Sequence, residues 1–78
     1  MDILSSKVIK HSVTIAGHTT SVSLEEPFWQ ILRTIAAEQK RAINDLVTEI
    51  DERRGTNLSS ALRLYVLDYL TKQQSLRE

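Results

Sequence analysis

Residues 12–29 read SVTIAGHTTSVSLEEPFW, and this stretch decides the fold. Val13 and Ile15 fall on one parity, with Ser12 and Thr14 on the other. After Ala16-Gly17-His18 the alternation resumes, with Thr20, Val22 and Leu24 on one side and Thr19, Ser21 and Ser23 on the other. Dense β-branched residues in strict alternation predict half-buried strands, about 8–15 and 19–24. Gly17 accepts positive φ without steric cost, which places the turn there. Glu25-Glu26-Pro27 then announces a helix: proline tolerates the first turn, and carboxylates suit the positive end of the dipole.

Upstream, Ile9 and His11 extend the apolar parity and Lys10 the polar one, while residues 1–6 carry no pattern and are expected to be disordered. Downstream, Phe28, Ile31, Leu32, Ile35 and Ala36 recur at helical spacing, widened by Trp29, for a helix of about 27–39. Ile43, Leu46, Val47 and Ile50 give a second stripe over 42–54, closed by Arg53-Arg54-Gly55, cations in the last turn and glycine beyond it. Gln39-Lys40-Arg41 between them is polar but contains no breaker, so periodicity alone also permits one continuous helix over 27–54. A third helix, about 58–73, begins at Asn57 as N-cap, with Ser59 as rival. From Leu58 to Leu70 it is apolar almost all round and requires cover on more than one side. The domain is expected to span 7–74, and 75–78 to fray.

The whole chain has 78 residues, ten basic against ten acidic, and no cysteine. Disulfide frameworks, thiolate metal sites and cysteine nucleophiles are thereby excluded, and a reducing, cytoplasmic setting is expected. The longest apolar run, Leu64 to Leu67, is too short to span a bilayer, and Met1-Asp2-Ile3-Leu4 lacks the order of a signal peptide. Chains of this size seldom gain more than about 3–5 kcal/mol from one core. A second subunit is the expected remedy.

Chemistry-bearing constellations are sparse. Ser59-Ser60 has no His or Lys base at a recognisable spacing, and no glycine-rich phosphate loop occurs, so no enzyme is expected. His11 and His18 lack the further ligands that a metal needs, and no cofactor is expected. Phe28, Trp29, Tyr65 and Tyr69 lie within apolar stripes and are assigned to core or interface. Residues 1–24 carry net charge +1, 25–55 carry −2 and 56–78 carry +1, without the basic excess usual in a dedicated DNA-binding domain.

The segments SVTIAGHTTSVSLEEPFW and LVTEIDERRGTNLSSALRLYVL resemble the ribbon-helix-helix family, which includes the Arc and methionine repressors, and most closely its short bacterial branch with an additional C-terminal helix. The similarity runs from about Lys10 to Leu70. It implies a mainly α fold with a short β segment, an obligate homo-oligomer, dimeric, tetrameric or larger, and a turn between the first two helices. It further implies that the strand before the first helix pairs with its copy in a second subunit and enters the DNA major groove. Carried onto this chain, Thr19, Ser21 and Ser23 face the groove, and Lys10 approaches phosphate. The phosphate clamp at the second helix comprises Arg41, Ala42 and Ile43, with Lys40 and Asn44 beside it. The interface takes Val22, Leu24, Trp29, Leu46, Ile50, Leu62, Tyr65, Val66 and Tyr69. Residues 7–16 add a strand to the ribbon or form a loose arm. The chain departs from the branch where a basic residue is common at the positions of His11 and Thr19, and where a glycine often ends the first helix near Lys40. Double-stranded DNA is the expected partner, no membrane is expected, and a protein partner in an antitoxin-like or adaptor role is the alternative.

Overall fold

The alternating segments on either side of Gly17 close on each other. In the computed structural model, which describes residues 2–76, strand β1 runs Val8–Ile15 and β2 runs His18–Glu25. They pair antiparallel from Val8 opposite Glu25 to Ile15 opposite His18, so residues 8–15 are a strand rather than a loose arm. The turn holds Ala16 at φ 51° and Gly17 at φ 81°, positive at both central positions, which matches the twist of the flanking strands. The sequence pointed to glycine alone; Ala16 shares the left-handed conformation, which costs an L-residue about 1–2 kcal/mol.

A two-residue loop makes Ile15 and His18 the closing hydrogen-bonded pair. Bonding then alternates along the ladder. Lys10, Ser12 and Thr14 in β1, and Thr19, Ser21 and Ser23 in β2, direct their N–H and C=O groups to the outer edges of the hairpin. Val13, Val22 and Leu24 point into the core.

Three helices pack under the hairpin. Helix α1 (Glu26–Glu38) starts with Pro27 in its first turn and buries Trp29, Leu32, Ile35 and Ala36. It ends because Lys40 adopts φ 57°, with Lys40 N–H donating to Ala37 C=O and Arg41 N–H to Ala36 C=O, both at 3.0 Å. This is the left-handed termination that satisfies the last carbonyls, and it rules out a continuous helix. Helix α2 (Ile43–Arg53) buries Leu46, Val47 and Ile50. Helix α3 (Leu58–Leu76) is capped by Asn57, whose Oδ1 accepts the Ser60 N–H at 2.9 Å; Ser59 is not the cap. Its inner side buries Ala61, Leu62 and Val66.

The chain's own elements cover more apolar surface than its composition implied. Leu24, Leu46 and Leu62 are 0% exposed, and Val22, Trp29, Ile50 and Val66 are also buried within one chain. Tyr65 and Tyr69 are half-buried against the same core. A side chain with no exposed area has none to give a partner in this conformation. The open side of α3 instead carries Leu64, Leu67 and Leu70. At the N-terminus, residues 3–5 form a 3-10 turn rather than a patternless arm, because Asp2 accepts the Leu4 N–H at 3.0 Å. Helix α3 continues through residue 76, past the expected end at 73; the remainder of the tail expected to fray, residues 77 and 78, lies outside the described residues. Among the described residues no helix is long and apolar enough to cross a membrane.

Candidate functional site

The hairpin register builds one polar face. Lys10 lies opposite Ser23, Ser12 opposite Ser21, and Thr14 opposite Thr19, and all six side chains are exposed. The result is a two-stranded surface of hydroxyls with one ammonium group, free of bulky side chains along its length. Val8 and Glu25 end the face. Glu25 is drawn toward α3 by Arg63, whose Nε lies 2.8 Å from Oε1. That hydrogen bond holds the Glu25 carboxyl below the usual carboxylate range, so it stays ionised beside the Arg63 guanidinium, whose positive charge offsets it.

Each edge of the hairpin is treated differently. On the β1 side, Asn44 in the first turn of α2 accepts the Thr14 N–H through Oδ1 at 3.2 Å, tying that edge to α2. On the β2 side, Ser23 C=O accepts the Ser59 hydroxyl at 2.9 Å. The edge-directed backbone groups of Thr19 and Ser21 on β2, like those of Lys10 and Ser12 on β1, have no other backbone partner among the described residues. An edge strand with free donors and acceptors is a template for a further strand.

On the opposite face, the His11 ring stacks on Trp29 with centroids 4.1 Å apart and planes 11° from parallel. Its Nε2 lies 3.3 Å from Glu26 Oε2 but out of hydrogen-bonding alignment. His11 therefore fastens the hairpin to the start of α1. His18 is exposed at the turn.

The junction between α1 and α2 holds the second group of expected contact residues. Lys40 is exposed on its left-handed backbone. Arg41 is half-buried, and its guanidinium donates to Glu49 Oε1 at 2.9 Å. Hydrogen bonding between the two raises the Arg41 pKa and lowers that of Glu49. Ala42 supplies no side-chain cap; its carbonyl accepts from both Asp45 N–H and Leu46 N–H. The N–H groups of Ile43 and Asn44 are left without intrahelical acceptors, as at any helix start. Asp45 adds a carboxylate to that turn.

The structure thus gathers Lys10, Thr19, Ser21 and Ser23 on one surface and sets Lys40, Arg41 and Asn44 at a neighbouring junction. Two of these residues also have internal work: Arg41 with Glu49, and Asn44 with Thr14. Sequence reasoning passed over Ser12 and Thr14. Their alternation with Ile9, His11 and Val13 was visible, but only the register shows them level with Ser21 and Thr19. Among the described residues no group of three or more His, Cys, Asp or Glu is placed to hold a metal ion.

Comparison with known proteins agrees with this architecture. The chain is similar to the solved structure of an uncharacterized protein from Bordetella pertussis Tohama I, with a TM-score of 0.79 and 30% identity over 95% of this chain. It spans 64% of that protein's length. No curated protein matches the chain. The sequence model of the ribbon-helix-helix domain matches residues 8–70, and with two antiparallel strands followed by three helices, the chain belongs to the ribbon-helix-helix family.

Proposed function

We propose that this protein is a homodimeric bacterial transcriptional regulator that meets duplex DNA with the outer face of its hairpin. One observation carries the reading: an exposed, coplanar surface of small hydroxyls and Lys10 whose β2 edge is open at Thr19 and Ser21. Members of the family are typically DNA-binding regulators or antitoxins and are generally non-catalytic. Pairing β2 with its copy in a second chain joins the two faces into one sheet and centres Thr19, Ser21 and Ser23 in the major groove. Serine and threonine side chains contact base edges with less discrimination than a bidentate arginine, so much of the affinity falls to phosphate contacts. Lys10, Lys40 and the free N–H groups at the start of α2 supply them. The exposed leucines of α3 leave apolar surface for contact between chains. As a regulator of this kind, the protein works in the cytoplasm.

The test is binding to duplex DNA across a salt series, with mass in solution measured in parallel. A dimer whose affinity falls steeply with salt is expected. Salt-insensitive or absent binding across a genomic library refutes the regulator.

A second reading, a protein-interaction module of antitoxin or adaptor type, is favoured by the zero net charge and by the pairing of Arg41 with Glu49. One stoichiometric protein partner in a pull-down, without enrichment of DNA, decides for it.

A further inference from the structure

The DNA reading above leaves β1 without a role of its own beyond Lys10, yet its outward residues are level with those of β2. Each edge carries one side-chain bond: Asn44 Oδ1 accepts the Thr14 N–H on β1, and the Ser59 hydroxyl donates to the Ser23 C=O on β2. The pairing proposed above extends the sheet at β2, where the edge-directed backbone groups of Thr19 and Ser21 have no other backbone partner among the described residues. With a second chain joined at β2 in this way, the strand order across the pair is β1, β2, then the copy's β2 and β1.

Strand spacing fixes where each strand falls. Neighbouring strands lie about 4.8 Å apart, so the central β2 strands sit about 2.4 Å from the two-fold axis and the β1 strands about 7 Å from it. The major groove is about 12 Å wide, with walls about 6 Å from its centre. The β2 strands reach base edges, and the β1 strands arrive at the walls, where the phosphates are.

We infer that the outward face of β1, Lys10 with Ser12 and Thr14, is a phosphate-gripping rail flanking the ribbon. Lys10 supplies the charge, and the two hydroxyls donate hydrogen bonds to phosphate oxygens, contacts that position a protein without reading sequence. The inference rests on the DNA-binding reading and assigns Ser12 and Thr14 a role in it. Both are exposed, and the bond from Thr14 to Asn44 uses the backbone N–H, so changing either side chain leaves the anchoring intact.

The experiment compares the full-length protein with Lys10→Gln, with the double variant Ser12→Ala/Thr14→Val, and with Ser21→Ala, each checked for an unchanged thermal transition. The probe is a random-sequence duplex DNA library, with affinity measured against salt and bound sequences read out. Losing one phosphate contact per chain lowers the log–log salt slope by about 1.8 for the pair of chains, so Lys10→Gln loses about 12-fold less affinity between 50 and 200 mM salt than the parent. The double variant weakens binding by a similar factor on every sequence and leaves the selected base preferences unaltered, while Ser21→Ala changes them. An unchanged slope and affinity in both β1 variants overturns the rail and leaves DNA binding standing. Altered base preferences in the double variant also overturn it, because β1 then reads bases itself. Absence of binding by the parent protein overturns the rail together with the reading beneath it.

Discussion

Lys40 terminates α1 in a conformation that suits glycine, and replacing it tests the physical account of the helix junction. Its φ of 57° costs an L-residue about 1–2 kcal/mol relative to glycine. Glycine gives back about 0.5–1 kcal/mol through the greater freedom of its unfolded backbone. The bonds from Lys40 N–H to Ala37 and from Arg41 N–H to Ala36 are backbone bonds and survive the change. Lys40→Gly is therefore expected to stabilise by about 0.5–1 kcal/mol, which in a domain of this size raises Tm by roughly 2–8 °C. Thermal unfolding at fixed protein concentration measures it, since self-association makes Tm concentration-dependent. Lys40→Ala is the control: it removes the same charge, keeps a Cβ, and should unfold close to the parent. A Tm for Lys40→Gly at or below the parent's refutes the strain argument. An equal rise in both variants refutes it too, because charge rather than backbone is then responsible. If Lys40 contacts phosphate, both variants weaken DNA binding equally despite their different stabilities.

The same reasoning applies at the hairpin turn: Ala16→Gly, at φ 51°, is expected to stabilise by about 0.5–1 kcal/mol in urea unfolding, and a loss of stability there contradicts the strained-turn account. Asn44→Ala removes the acceptor for the Thr14 N–H and is expected to cost about 0.5–1.5 kcal/mol; faster hydrogen exchange at the Thr14 amide is the local signature to look for. Arg41 holds the Glu49 carboxyl below its ordinary value of 4.5, so this pair's stabilisation is full above that pH and is lost as pH falls through the lower folded-state value. Glu49→Gln should then narrow the drop in stability on acidification, and an unaltered acid limb in a pH series of urea melts argues against the pair's contribution.

Much of the fold was legible because two periodicities are written plainly. The parity change around Gly17 and the stripes at Phe28–Ala36 and Ile43–Ile50 each encode one buried face; the second helix ends at Arg53 as expected, but the chain leaves it through an extended Arg54, without a left-handed φ at Gly55. The break at Lys40 was less legible. A lysine carries no local signal for a left-handed backbone, and the conformation is imposed by two carbonyls that need donors. The interface residues were the hardest to read. Periodicity marks a side chain as needing cover but does not say whether the cover comes from the same chain. Val22, Leu24 and Leu62 found it within their own chain, through packing between elements far apart in sequence.

The sequence by itself determined the elements, their buried faces and the polar parity of the hairpin, since these depend on neighbours within a few residues. Tertiary structure alone decided that Ser12 and Thr14 lie level with Ser21 and Thr19, that Asn44 bonds one strand edge and Ser59 the other, and that Arg41 turns to Glu49. Each of these depends on where one element's backbone or charge meets another's, and local patterns carry no record of that distance.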